Sequence, residues 1–243
     1  MNTRIAAAFV SIVMIALTGC QAAKTAEAPA TKVASQPAPV AWYEPEIRAF
    51  EEADRKSPPG AGQVLFVGSS SIKLWTTLAQ DTKPAPVINR GFGGSKTGEV
   101  LAVFDRVVVP CKPSVIVYYC GDNDLGVDGK DAQAAANGFI EFDRRARRLW
   151  PDVQVFYIAI KPSVQRWSNW AAMKRANDMV QEHCLRTPGA TYLDIVTPML
   201  TADGRPDPTL FKEDGLHLNA KGYAIWTSVV KGAVVKAWER VKK

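Results

Sequence analysis

Five short apolar runs, each followed by a stretch of helical character, set what this chain can fold into. They are Gln63 to Val67, Val87 to Asn89, Ser114 to Tyr119, Val153 to Ile160 and Thr191 to Ile195. Short runs that are apolar on both faces and rich in β-branched and aromatic residues read as strands covered on both sides, the pattern of a parallel sheet. Between them the period changes. From Asp131 to Trp150 apolar residues recur at Ala132, Ala135, Phe139, Phe142, Ala146 and Leu149, the spacing of an amphipathic helix, and Pro151 stops it. Helices are also expected over Trp42 to Lys56, about Thr97 to Val108, Trp167 to Arg186 and about Ala220 to Val241. With no internal repeat and no second core, this alternation predicts one α/β domain, a three-layer α/β/α sandwich around a five-stranded parallel sheet.

In such a sheet the loops after all strands project from one edge, where ligands bind. The first run continues as VLFVGSSSIKLW, Val64 to Trp75, a strand that meets Gly68, then Ser69, Ser70 and Ser71, then a potential helix. A hydroxyl held beside the first N–H groups of a helix is placed to act as a nucleophile. A glycine-serine turn with a serine N-cap has the same letters. The second and third runs end in Gly91-Phe92-Gly93-Gly94-Ser95 and Cys120-Gly121-Asp122-Asn123-Asp124, so Ser70, Gly94 and Asn123 are expected to face one crevice.

Several other chemistries are excluded by spacing. Gly91 to Gly98 lacks the lysine and hydroxyl residue that follow the last glycine of a phosphate loop, and Lys96 stands where a dinucleotide loop needs glycine. Ile72 occupies the second glycine position of a G-x-S-x-G elbow. Of the two histidines, His183 lies late in a helix beside Cys184 and reads as packing or a helix-end contact. His217 follows Asp214 in Asp214-Gly215-Leu216-His217-Leu218-Asn219. An acid placed just before a histidine across a tight turn can accept from one ring nitrogen, leaving the other free to take a proton.

Gly68-Ser69-Ser70, Gly94 within GFGG, Gly121-Asp122-Asn123-Asp124 and Asp214-Gly215-Leu216-His217 resemble, in order and rough spacing, the four blocks of the SGNH hydrolases, the GDSL-type esterases and lipases. The resemblance runs from about Gln63 to the final helix, and its surroundings are most similar to bacterial relatives of the platelet-activating-factor acetylhydrolase subunits. It implies a flavodoxin-like sheet and a serine esterase that needs no metal or other cofactor. Ser70 would be the nucleophile, His217 the general base and Asp214 its orienting acid. The oxyanion hole would comprise the backbone N–H groups of Ser70 and Gly94 and the side-chain amide of Asn123. Ser71 is the second choice of nucleophile. One position departs from the family pattern: Ser69 stands where the family has aspartate, which puts the support of that loop in question.

Without a long apolar insertion to build a lid or acyl tunnel, short acyl groups are expected, such as acetyl esters on a glycan or a small molecule. Trp75, Trp167 and Trp170 are candidates to line a carbohydrate cleft, or else to pack in core and loops. A lysophospholipase or thioesterase of the same family is the alternative, as is an envelope protein that binds glycan without turnover.

The amino terminus reads as a targeting segment. Arg4 precedes an apolar run from Ile5 to Leu17, too short to span a membrane and suited to a signal peptide. Leu17-Thr18-Gly19-Cys20 resembles a bacterial lipobox, which implies cleavage before Cys20 and lipidation of its thiol. The expected organisation is a signal peptide at 1–19, lipidated Cys20 with an Ala/Pro-rich tether at 20–40, and the hydrolase domain at 41–243. This places the protein in the bacterial cell envelope, anchored in the membrane through Cys20. Gln21, in place of aspartate, points to the periplasmic side of the outer membrane. The formal charge of +6 is dispersed except at Arg144, Arg145, Arg147 and Arg148 and in the carboxyl-terminal tail. No nucleic-acid-binding signature accompanies it, and a nucleic-acid partner is not expected. Cys111, Cys120 and Cys184 read as buried thiols, with a Cys111–Cys184 bridge open to an exported protein.

Overall fold

Val64, Leu65, Phe66 and Val67 are all fully buried, and they alternate between two cores on opposite faces of the sheet, as the two-residue period of a strand requires. Leu65 and Val67 join Ile116, Tyr118 and Tyr157 on one face, while Val64 and Phe66 join Val117, Tyr119 and Ile158 on the other. This double burial explains why the strands read as unbroken apolar runs. The computed structural model describes residues 40–129 and 131–242. The expected signal peptide at 1–19, Cys20 and the tether as far as residue 39 lie outside the described residues.

The strands are β1 (Val64–Gly68), β2 (Val87–Gly91), β3 (Val115–Tyr119), β4 (Gln154–Ile158) and β5 (Ala190–Leu193). They form one parallel sheet in the order β2-β1-β3-β4-β5. The α-helices among the described residues are α1 (Glu44–Lys56), α2 (Ser70–Lys73), α3 (Leu78–Asp81), α4 (Thr97–Ala102), α5 (Phe104–Val107), α6 (Asp122–Gly126), α7 (Ala132–Leu149), α8 (Trp170–Arg186) and α9 (Ala220–Val241). One face of the sheet is covered by α1, α4, α5, α7 and α8, the other by α2, α3 and α9. The expected three-layer α/β/α architecture and five-stranded parallel sheet are therefore present. The chain winds outward from β1 to β2, then crosses back to lay β3 on the other side of β1. The carboxyl ends of β1 and β3 thus flank the switch point at which open α/β sheets bind ligands.

Some local expectations change. The helix expected over Thr97 to Val108 is two short helices that break at Val103, with no glycine or proline at the break to announce it. The helix expected from Trp167 starts with a 3-10 turn, Trp167–Asn169, before α8. In α7, Leu149 belongs to the apolar period but is 49% exposed, because it ends the helix. The Cys111–Cys184 bridge is not formed. Cys111, Cys120 and Cys184 are all buried free thiols; Cys111 lies against the Val107 carbonyl, and Cys184 is on α8 near Asp143 and Arg147. His183, also on α8, meets the buried Asp143 at 2.8 Å, which accounts for it as a packing residue.

The end of β1 depends on one glycine. Gly68 has φ +138, and a Cβ built there would stand 1.9 Å from the carbonyl oxygen of Tyr119 on β3. Gly68→Ala combines left-handed strain with a backbone clash in the middle of the sheet. It is expected to cost at least about 3 kcal/mol of stability, read as a large fall in the thermal midpoint. Wild-type melting would show that the bend tolerates a side chain.

Candidate active site

At the end of β1 the chain turns at once into a single helical turn. Ser69 is extended and caps α2, with its carbonyl accepting from the backbone N–H groups of Ile72 and Lys73. Ser70 is therefore the first residue of α2, where a backbone N–H has no carbonyl partner within the helix. Its side chain is half-buried on the ligand-binding edge of the sheet. Ser71 is buried, and its backbone carbonyl accepts from the Tyr223 hydroxyl of α9 at 2.9 Å. Burial, and the contact of Ser70 Oγ with His217, separate the two serines as candidate nucleophiles.

His217 reaches Ser70 from the far end of the chain. The Lys212 N–H donates to the His217 carbonyl at 2.7 Å, and Phe211 pairs with Leu218, so the segment folds back as a small hairpin. Leu218, fully buried, anchors it. Gly215, at the tip, has φ +61, a conformation that a side chain would strain. Asp214 Oδ1 accepts from the backbone N–H groups of Leu216 and His217, each at 2.9 Å. Its Oδ2 lies 2.6 Å from His217 Nδ1. His217 Nε2 lies 3.1 Å from Ser70 Oγ. Carboxylate, imidazole and alcohol thus stand in one hydrogen-bonded line, through which a proton can leave the hydroxyl while the ring keeps a fixed tautomer. Burial opposes ionisation of Asp214, but hydrogen bonds from the His217 ring and the two amides outweigh it and hold the carboxyl at about 2.

The third part of the site is Asn123, which lies in the first turn of α6 after β3 and is buried. Its Nδ2 donates to Ser69 Oγ at 2.8 Å and to the Ser95 carbonyl at 3.0 Å, joining the loops after β1 and β2. Its Oδ1 accepts from Arg166 Nη2 at 2.8 Å, which adds the segment after β4. Beneath it lies a buried charged cluster. Lys161 Nζ contacts Asp122 Oδ2 at 2.9 Å and the Tyr119 hydroxyl at 3.0 Å, and Arg166 Nη1 is 3.5 Å from the same carboxylate. Burial would raise the Asp122 pKa, but the charges of Lys161 and Arg166 and the hydrogen bonds from Lys161 and Tyr119 bring it below the ordinary value. Gly94, in a left-handed conformation with φ +68, is exposed next to Ser95. A Cβ on it would meet the Trp42 ring at 3.4 Å, and Trp42 itself donates to Glu99 Oε1 at 2.8 Å.

The structure therefore brings Ser70, His217 and Asp214 into direct contact. It sets Asn123 beside them through Ser69, with Gly94 in the adjoining loop. Trp75 does not line a cleft. It is 1% exposed, stacked on Tyr223 with centroids 5.4 Å apart and edge-on to Trp226. Trp167 and Trp170 stack on each other at 5.6 Å, and Arg205 lies over Trp167. Lys161 and Arg166 were not expected at the site, although they follow the fourth apolar run, whose loop emerges at the same edge as the first three.

The titration of Asp214 has a definite sign. Its folded pKa of about 2 lies below the ordinary 3.8, so its stabilising contribution is present above 3.8 and lost as the pH falls through about 2. The carboxyl 13C resonance of Asp214 is expected to titrate near pH 2, and to move up toward 3.8 in His217→Ala. A midpoint unmoved by the substitution would mean that the two backbone amides hold the carboxylate without the ring.

Comparison with solved structures finds the same fold in several proteins. A Streptococcus pneumoniae protein provisionally described as a platelet activating factor superposes with a TM-score of 0.70 at 20% identity, over 79% of this chain and 92% of its own. A GDSL-like lipase from Bacteroides thetaiotaomicron gives 0.67 at 18% identity, over 79% and 98%. An acetylxylan esterase from Geobacillus stearothermophilus gives 0.58 at 14% identity, over 73% and 96%. At these identities the likeness concerns the fold. No curated protein matches the chain. The model of the GDSL-like Lipase/Acylhydrolase family matches residues 61–225, from the approach to β1 into α9 and across every loop of the site, and the chain belongs to that family.

Proposed function

We propose that the protein is a serine esterase that removes short acyl groups, acetyl foremost, from a glycan or small ester through an acyl-enzyme on Ser70. The observation that carries the proposal is the unbroken line from Asp214 through His217 to Ser70 Oγ. In the reaction His217 Nε2 takes the Ser70 proton as Oγ attacks the ester carbonyl carbon. The resulting oxyanion is received by the N–H groups of Ser70, Gly94 and the Asn123 amide. His217 then gives the proton to the departing alcohol oxygen, leaving acyl-Ser70. A water molecule, deprotonated by His217, attacks the acyl carbon, and the carboxylic acid leaves as Ser70 recovers its proton. Asp214 holds the ring so that Nδ1 keeps its hydrogen and offsets the positive charge that develops.

The preference for short acyl groups rests on the strand ends. One residue separates Gly68 from α2 and two separate Tyr119 from α6, so these two loops are too short to build an acyl tunnel. The acetylxylan esterase of the same fold supports the same size of acyl group. The lipobox-like Leu17-Thr18-Gly19-Cys20 supports an envelope location, with the domain tethered through lipidated Cys20 to the periplasmic side of the outer membrane.

Two experiments test this reading. The full-length protein is expected to hydrolyse p-nitrophenyl acetate faster than the butyrate, and the butyrate faster than the octanoate. It is also expected to release acetate from acetylated xylooligosaccharides. Ser70→Ala should lower the rate by at least about 10³-fold without moving the melting temperature. Hydrolysis that survives this substitution, or a wild type inert on every ester, would remove the serine-esterase reading. Separately, Cys20→Ala should abolish incorporation of labelled palmitate and release the protein from the membrane fraction. Undiminished labelling would place the lipid elsewhere.

A further inference from the structure

The amide of Asn123 is held in one orientation by partners that leave no choice. Arg166 has only donors, so the atom that faces its Nη2 at 2.8 Å must be the amide oxygen. The Ser95 carbonyl can only accept, so the atom facing it at 3.0 Å must be the amide nitrogen. Flipping the amide would set donor against donor and acceptor against acceptor at once. Both hydrogens of Nδ2 are therefore aimed at the loops after β1 and β2, where Ser69 and Ser95 lie.

Arg166 is itself built in. It is 7% exposed, and its Nη1 lies 3.5 Å from the Asp122 carboxylate that Lys161 also engages. Its stem lies against Gly126 of α6, where an added Cβ would stand 2.5 Å from Arg166 Cδ. A cation donating to an amide oxygen also draws electrons from the amide nitrogen, so the opposite N–H groups become stronger donors. In the resting site the two hydrogens of Nδ2 go to Ser69 Oγ and the Ser95 carbonyl. Ser69 is a neutral hydroxyl where the family pattern has aspartate, so the bond to it is weaker than a bond to a carboxylate would be, and an Nδ2 hydrogen can leave it for a charged oxyanion.

We infer that Arg166 is a positioning residue for the oxyanion hole: it fixes the Asn123 amide with its nitrogen toward the loops that carry Ser69 and Ser95, and strengthens that nitrogen as a donor. The inference rests on the esterase reading, and it assigns to Arg166 an effect that passes entirely through Asn123. An interaction of that kind grows as negative charge develops on the substrate, so it lowers the barrier more than it tightens ground-state binding.

A double-mutant cycle on p-nitrophenyl acetate in the full-length chain tests it, with Ser70→Ala as the background rate. Arg166→Lys keeps the charge but loses the fork that reaches Asn123 and Asp122 together. It is expected to lower kcat by about 10- to 100-fold with KM within about twofold, less than the roughly 10²–10³ lost on deleting an oxyanion donor by Asn123→Ala. In the Asn123→Ala background the same Arg166→Lys change should alter kcat less than about twofold. Gly126→Ala provides a second route if Arg166→Lys fails to fold. It displaces the arginine stem without touching charge, and its kcat loss should likewise vanish once Asn123 is alanine. Losses that multiply, a change in KM alone, or an Asn123→Ala protein as active as wild type would each overturn the role of Arg166. Ser70→Ala retaining activity would instead overturn the esterase reading beneath it.

Discussion

Three loops of this domain are tied together by a single side-chain amide. Asn123 sits after the central strand β3, takes the loops after β1 and β2 through Ser69 and Ser95, and takes the segment after β4 through Arg166. The sheet places those loops near one another, but strands alone leave their tips free to move. An amide with two donors on one side and an acceptor on the other can lock them, because each loop offers the complementary group. Hydrogen bonds to charged groups contribute about 1.5–3 kcal/mol each, and a buried amide oxygen left without a partner costs a similar amount. Arg166 supplies that partner, so the lock is stable only with the charge beneath it.

Burying Lys161, Arg166 and Asp122 is the expensive part of this arrangement. A single buried charge costs several kcal/mol, and a buried pair breaks even only when its remaining donors and acceptors are satisfied. Here one carboxylate oxygen receives Lys161 and the Tyr119 hydroxyl, with Arg166 close by. The Tyr119 phenol, pushed well above its ordinary range first by burial and then by Asp122, keeps its proton and so remains a donor. Apolar residues of similar volume in place of a buried ion pair are often no less stable in a protein core. The charges make sense as the support of Asn123, where an apolar replacement would leave the amide oxygen bare.

Much of this was legible in the sequence, and what was missed has a common cause. The strands were readable because both faces are buried, and Ser70, Asp214 and His217 because each lies in a short motif whose geometry is local. Asp214 and His217 are three residues apart and joined by their own turn. Lys161 and Arg166 were not legible, because their partners are set by strand order: β4 lies beside β3 only in the folded sheet. In the sequence they look like ordinary surface cations after an apolar run. Trp75 could be read either as a cleft wall or as core packing for the converse reason. A tryptophan near a candidate nucleophile suggests a binding wall, but α9 comes from the end of the chain and seals it with Tyr223 and Trp226. The break at Val103 carries no glycine or proline, so nothing local marked it.

The segment from Lys161 to Arg166 also connects the two halves of the site. At one end it holds Asn123 through Arg166. One residue earlier, the Gln165 N–H donates to the Gly215 carbonyl at 3.0 Å, in the turn that carries Asp214 and His217. A Cβ on Gly215 would stand 3.3 Å from Val164 Cβ, so this contact is close as well as hydrogen-bonded. The turn of Asp214 and His217 and the Asn123 amide therefore share one support, although they lie far apart in the chain. A proton acceptor and an oxyanion donor must be registered to the same carbonyl group within a fraction of an ångström to act together. Two supports moving independently would blur that registry, whereas one short segment pinned at both contacts keeps it.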